Sequence, residues 1–473
     1  MILSPLSTLV CGDLSLLFLK RDSARSKTAE TSYRTPKSVL PRLLSKPVHY
    51  LFLAAALHVL VALAVFLIGR FQLLPNTIDA HGIGISFAID GLTYRSLAID
   101  SADILRTNGI AEWVSTPLPF HARLYSLSFA AFGNLLGYNI LTAEPLNVLF
   151  YVCIISVVYL LGRQVFDSRA GMIAATIVAV WPSFLLHSGQ MIRDPLAILC
   201  LLAVLLGMTL LLTQKLTIRQ GLALGVGLAI LLGVFWMVRG NMWTVAVAVV
   251  ALTVFFLLLR IFLERKVLAG NWLTIVLVAG VAAVVPSYIR SVTVPGIPEP
   301  TTAFARPGPE PEATHGLIPR LIKQISGRRR GNPNGYFTGG SNIDADVRLD
   351  HGGDILRYLP RAAEIGFLAP FPNMWLHRNG VAGGAARLLS GVEMLLWYFL
   401  YLLVLICLWQ ERRRLPVWFI ATLVTVSLTA LGLVVINAGA LYRLRYAFLI
   451  MLTVLAARGG QIVAHRFWVE RSP

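Results

Sequence analysis

The sequence predicts an all-α polytopic membrane protein, with about ten transmembrane helices and two long extracytoplasmic loops that carry interfacial helices. Three observations predict it. Only 14% of the 473 residues are charged and 56% are hydrophobic, with mean hydropathy +0.72; a soluble chain would carry about a quarter charged residues. About ten apolar segments reach the roughly 17–25 residues that cross a bilayer. Basic residues gather in alternate connections between those segments, as the positive-inside rule requires. A water-soluble enzyme and a disordered scaffold are thereby excluded.

Residues 1–47 carry eight basic side chains, from Lys20 to Lys46, and Asp13 interrupts the first apolar stretch, so this segment reads as a cytoplasmic tail rather than a signal peptide. Spans are expected near 48–67, 143–162, 170–188, 195–213, 220–238, 241–259, 272–289, 389–409, 416–436 and 440–457. The run Phe120–Tyr138 is apolar but holds His121, Arg123, Ser126, Ser128 and Asn134, and is expected as a helix in the outer interface. The resulting domains are the tail 1–47, a seven-span core 48–289 that includes a first outer loop 68–142, a second outer loop 290–388, three C-terminal spans 389–457 and a second tail 458–473.

The tail and the connections 163–169, 214–219, 260–271, 410–415 and 458–473 together hold 21 basic residues against seven acids, whereas the first outer loop holds four against five. Both termini are therefore expected in the cytoplasm. This distribution absorbs much of the net charge of +18, so a nucleic-acid partner is not implied. The four cysteines form no CxxC pair, which argues against a disulfide framework or a zinc site. No Walker-type loop is present, which argues against an ATP-driven pump.

Arginine on a short outer connection runs against the charge rule. Arg193 and Asp194 lie in Gly189-Gln190-Met191-Ile192-Arg193-Asp194-Pro195, Arg239 lies between the fifth and sixth spans, and Arg443 and Arg445 open the expected last span. Two readings stay open: the arginines snorkel to headgroups or pair with carboxylates, or several converge on one phosphate, whose oxygens match the guanidinium fork. Asp90, in Ile89-Asp90-Gly91-Leu92-Thr93-Tyr94, could cap a helix or act in catalysis. In the second loop, Arg328-Arg329-Arg330 reads as a solvated face or headgroup contact, with an anionic glycan as the alternative. His351 beside Asp350 and Asp354 resembles a metal cluster too loosely for a metal site to be expected.

These residues resemble the C-type membrane glycosyltransferases, among them the protein O-mannosyltransferases and the lipid A aminoarabinose transferases. The resemblance rests on Asp90-x-x-x-Tyr94-x-x-x-Ala98 after the first span, Leu161-Gly162-Arg163-Gln164-Val165-Phe166 at an inner turn, Ala170-Gly171, Pro182 and Asp194. The stretch Leu368–Trp375, Asn437-Ala438-Gly439 and Arg443-x-Arg445 are similar to a bacterial subgroup associated with polysaccharide loci. Where many members carry two adjacent acids in the first loop, this chain has Asp90-Gly91.

The resemblance implies an enzyme that moves a hexose or pentose from a polyprenyl-phosphate donor to a glycan, lipid or protein acceptor, outside a bacterial inner membrane. It implies Asp90 as catalytic base, Arg239, Arg443 and Arg445 as a phosphate clamp, and Arg193, Asp194 and Tyr94 lining the cavity. No cofactor is expected, a divalent cation being the one addition the family chemistry allows; the other partners are membrane lipids. Two further readings stand beside this one: a polymerase or ligase acting on polyprenyl-diphosphate glycans through outer arginines and a loop histidine, and a lipid-glycan transporter, which would bury charges at mid-membrane.

Overall fold

Inside hydrocarbon every backbone polar group must be paired within its own segment, so each long apolar run folds as a helix. A computed structural model describes residues 47–75, 77–79, 84–85, 90–288, 317–330, 342–376 and 383–469. The expectations for the basic tail to residue 46 and for the stretch Pro295–Pro311 lie outside these residues. Leu51–Pro473 forms one unit, and the described part of the other, Met1–Tyr50, is the first turn of a helix.

The helices are α1 (Pro47–Arg70), α2 (Asp90–Thr107), α3 (Ile110–Ser115), α4 (Phe120–Leu136), α5 (Ile140–Val165), α6 (Ser168–Ala179), α7 (Pro182–Ser188), α8 (Asp194–Thr213), α9 (Ile218–Arg239), α10 (Trp243–Glu264), α11 (Ala269–Tyr288), α12 (Leu317–Arg330), α13 (Gly352–Leu368), α14 (Pro372–Trp375), α15 (Gly383–Gln410), α16 (Leu415–Val434), α17 (Ala438–Leu444) and α18 (Tyr446–Val469). Among the described residues the β pairing amounts to two isolated bridges, Ile78 with Ile85 and Asn342 with Asn437. The protein is an all-α, integral membrane protein.

Eight of these helices are long and apolar enough to cross a membrane, or nine if α6 and α7 form one bent span. The difference from the expected ten lies at Ile218–Glu264, a 47-residue helical stretch that counts once. It breaks at Arg239, whose φ of −148° and ψ of 55° leave the helical region, and each 22-residue half is long enough to cross alone. Two further expectations need correction. The segment 170–188 is not one straight helix: it bends by 68° where Trp181 turns extended and Pro182, which has no N–H to donate, starts α7. The last span starts at Tyr446 rather than residue 440, because Asn437 caps a separate short helix by accepting from the Ala440 amide.

Connections expected on the same side meet at the same end of the bundle. Gln164 donates to Thr213 at 2.5 Å, Arg260 to the Leu211 and Gln214 carbonyls, Arg414 to the Val165 carbonyl, and Arg458 pairs with Glu411 at 2.7 Å and Asp167 at 3.5 Å. Asp194 begins α8 about 30 Å away along the helix axis. The spans also bury more ionisable side chains than expected: His58 Nδ1 lies 2.7 Å from Glu144 Oε1 and its Nε2 2.9 Å from Ser188 Oγ, so α1, α5 and α7 share a polar contact.

In the first loop, α2 and α4 pack through Ala98, Ala102, Tyr125 and Phe129, with Met191 against them. Leu127, Phe132, Leu135 and Leu136 of α4, with Ile110 and Val114 of α3, stay exposed, an apolar surface of the kind an interfacial helix presents. In the second loop, Tyr358, Ala362 and Ile365 of α13 pack with Leu433, Ala438 and Leu441. Arg329 is not part of a solvated face. It is buried over the Tyr358 ring and donates to the Asp344, Val347 and Leu433 carbonyls, because its planar fork can serve several oxygens at once.

The α13–α16 contact needs backbone to meet backbone: a Cβ on Gly432 would lie 2.0 Å from the Ala362 carbonyl oxygen. Gly432→Leu should therefore force the helices apart and cost about 2 kcal/mol or more, read as an earlier thermal transition of the purified protein in detergent.

Candidate functional site

Asp90 opens α2, whose buried side is Gly91, Tyr94, Ala98, Ser101 and Ala102, a spacing of three and four residues. That register puts Tyr94 one turn beyond Asp90, on the same face. Asp90 Oδ2 accepts a 2.7 Å bond from Arg443 Nη2 of α17, both side chains being 18% exposed. Arg443 Nε lies 3.5 Å from Asp194 Oδ2, and Asp194 Oδ1 accepts a 2.6 Å bond from Arg239 Nη1. One chain of ion pairs thus joins the first loop, α17, the start of α8 and the end of α9. Arg193 is buried beside it, near enough for its charge to act on Asp194 and on His121. Three guanidiniums, of Arg193, Arg239 and Arg443, thus gather around the Asp90 and Asp194 carboxylates.

Local structure explains the placement. Pro195 suits the first turn of α8, where the Asp194 carboxylate also meets the positive end of the helix. The preceding connection is held by the first loop: Tyr125 Oη donates to Asn147 Oδ1 at 2.8 Å and lies 3.2 Å from the Ile192 carbonyl, while Gln190 Oε1 accepts from the Ile85 amide. Burying charges costs several kcal/mol per ion, which alternation of sign along the chain offsets. For Arg443, burial opposes the charge, but Asp194 and Asp90 outweigh it and raise its pKa.

Of the residues singled out in the sequence, Asp90, Asp194, Arg239 and Arg443 come together directly, with Arg193 beside them. Tyr94 joins them through its own helix and an edge-on contact with His121, ring centroids 4.2 Å apart. Arg445 does not join this chain of contacts. It is fully buried, donates to the Ala369 carbonyl and to Met394 Sδ at 2.9 Å, and stacks over Tyr442 at 4.7 Å. Two residues along a helix are about 200° apart, so Arg443 and Arg445 face opposite ways.

Sequence reasoning passed over two residues. His121 was noted only as a polar member of the interfacial helix. It is 4% exposed, and among the described residues neither ring nitrogen has a hydrogen-bond partner. Burial, then the charge of Arg193, lowers its pKa from 6.5 to about 3. Glu393 is buried in α15, accepts from the Ser183 amide at 2.7 Å and hydroxyl at 2.5 Å, and also accepts from Tyr442. For each, the one available signal is a titratable residue inside an apolar run.

Among the described residues no group of three or more His, Cys, Asp or Glu side chains could hold a metal ion. A cation between Asp90 and Asp194 would have to share them with Arg443 and Arg239. His351 is 86% exposed and lies 3.4 Å from Asp354.

No family model and no curated protein matches this sequence. Among solved structures it is similar to the archaeal oligosaccharyltransferase AglB from Archaeoglobus fulgidus, in complex with an inhibitory peptide and a dolichol-phosphate, at 16% identity and a TM-score of 0.45 over 90% of this chain. The match covers 51% of that protein, so the chain spans about half its length.

The buried neutral imidazole predicts an acid limb in stability. Because its folded pKa is depressed, the unfolded chain takes up this proton first; its contribution is whole above about pH 6.5 and is lost as the pH falls toward about 3. The slope in that window should reach roughly 1.4 kcal/mol per pH unit. Thermal unfolding in detergent at a series of pH values should show this limb, and His121→Gln should flatten it.

Proposed function

We propose that the chain is a membrane glycosyltransferase that moves a sugar from a polyprenyl-phosphate donor to a hydroxyl of a glycan, lipid or protein acceptor, on the extracytoplasmic face of a bacterial inner membrane. The observation that carries this reading is the Asp90–Arg443–Asp194–Arg239 chain, buried at Asp194 and Arg239 and half-buried at Asp90 and Arg443, at one end of the membrane helices. A polyprenyl donor is too apolar to leave the bilayer, so its phosphate must be met at that depth. Guanidiniums gathered at one point suit an anion, and arginine stays charged at any working pH.

Asp90 is the group that would take the proton. Its Oδ2 is held by Arg443, while Oδ1 carries no hydrogen bond from any described residue. As the acceptor hydroxyl oxygen attacks the anomeric carbon, Asp90 removes its proton, the bond from that carbon to the phosphate oxygen breaks, and the polyprenyl phosphate leaves with the electron pair. Attack opposite the leaving group inverts the anomeric centre. Arg239, Arg443 and Arg193 stabilise the charge that builds on the departing phosphate. A phosphate competes with Asp90 for Arg443, so donor binding would free the base. Arg445 acts behind the site, holding Ala369 and Tyr442.

The likeness of Asp90-x-x-x-Tyr94 and its companions to the O-mannosyltransferase and aminoarabinose transferase group belongs to the same proposal. The polymerase or ligase reading leans on a loop histidine, and the exposure of His351 gives it little support. The transporter reading needs movable buried charge, and the His58–Glu144 contact is tied to Ser188 through the other ring nitrogen.

Asp90→Asn should lower sugar transfer in proteoliposomes by about 10²–10⁴-fold with normal membrane abundance, the range of a lost general base. Arg443→Lys and Arg239→Lys should assemble yet transfer at least about tenfold more slowly, since lysine lacks the planar fork; unchanged turnover in both would leave only an anchoring role. Lipid-linked sugars that accumulate in a deletion strain identify the donor for these assays. In a cysteine-free background, an impermeant thiol reagent on intact cells should label Gly340→Cys and not Ser472→Cys, and the reverse pattern would place the cluster on the cytoplasmic face.

A further inference from the structure

His121 is the buried polar side chain of the site that the transfer chemistry leaves unused. A neutral imidazole has one N–H donor and one bare nitrogen acceptor. Here both are buried and neither is paired by a described residue. Each such group costs about 1–3 kcal/mol unless something fills it. Its surroundings narrow what that could be. The ring meets the Tyr94 ring edge-on, and the charges of Arg193, Asp194 and Arg239 reach it. Burial, and then the Arg193 and Arg239 charges, disfavour its protonated form.

A phosphate or carboxylate offers only acceptor oxygens and would leave the bare nitrogen unmatched. Arginine and lysine offer only donors and would leave the N–H unmatched. A hydroxyl both donates and accepts, and adjacent hydroxyls can serve both nitrogens. Asp90 and Tyr94 lie on α2, which packs on the helix that carries His121, and the arginines that would hold the phosphate are close by. The chemical group next to that phosphate is the sugar it carries.

We propose that His121 is a binding residue that holds hydroxyl groups of the donor sugar, so that the site distinguishes a sugar-bearing polyprenyl phosphate from the bare carrier. The inference rests on the glycosyltransferase reading and adds to it a hydroxyl-rich, uncharged sugar as the ligand class. It assigns His121 no proton transfer. The increment in affinity it supplies is about tenfold, the size of one or two hydrogen bonds made in a buried site.

The test uses the full-length protein in nanodiscs, titrated with bare polyprenyl phosphate and with a panel of polyprenyl-phosphate hexoses and pentoses, with binding read by tryptophan fluorescence. Wild type should bind at least one sugar-bearing lipid about tenfold more tightly than the bare carrier. His121→Phe keeps a ring against Tyr94 but no nitrogen; it should lose that increment while its affinity for bare carrier is unchanged. His121→Gln should keep part of it. His121→Ala is the second variant should His121→Phe fail to assemble: the increment should vanish and return with added imidazole. An increment that survives in His121→Phe or His121→Ala means that a buried water or packing alone satisfies the ring, and overturns the proposal. So does a wild type that does not distinguish any sugar-bearing lipid from bare carrier. Failure of the glycosyltransferase reading is separable, because it shows as no binding of bare carrier, or as sugar transfer that Arg239→Lys and Arg443→Lys leave unchanged.

Discussion

One guanidinium holds one end of this bundle together. Arg443 lies between Asp90 and Asp194, and Asp194 in turn engages Arg239. Each charge would be costly alone at that depth, and removing any one leaves its neighbours uncompensated. The chain is therefore a constraint on four separate connections at once. The first-loop helix cannot leave its place, nor can α8 or α9 shift, without breaking an ion pair. The cluster is thus held in one arrangement by its own ion pairs.

The second long loop earns its length by positioning Arg443. The Asn342–Asn437 bridge and the 3.0 Å bond from the Ile343 amide to the Ile436 carbonyl fasten that loop to the residues just before α17. Arg329 and the Asp344–Arg361 pair, 2.9 Å apart, hold the loop in turn. On the far side of α17, Tyr442 bonds to Glu393 and Arg445 bonds to Ala369, so the helix is held on both faces. Hydrogen-bonded residues away from the reacting groups thus set the angle at which Arg443 meets its carboxylates, the role outer-shell partners play around metal sites. Arg445 is better understood as part of that frame than as a ligand contact.

The sequence by itself determined the all-α membrane class and the approximate spans, offered Asp90 as a possible helix start, and singled out the arginines at the ends of spans. These follow from composition, from a helical period and from which end of a span a charge occupies, all of which are local properties. What only the tertiary structure decided is which charges meet. Arg443 and Arg445 read alike along the chain, and the roughly 100° turn per residue of α17 sends one to the carboxylates and the other into the protein. Arg329 sits in a basic triplet that looked solvated, and folding of the loop buried it. The bend at Trp181–Pro182 has a local cause in the proline, but its size does not. His121 carries no motif, and its missing partners become visible only when α2 packs on α4 and the charges of Arg193 and Asp194 come within reach. Local hydropathy says where a segment lies relative to the membrane. Pairing between residues some 350 positions apart, such as Asp90 and Arg443, depends on how the helices pack, and no local pattern encodes it.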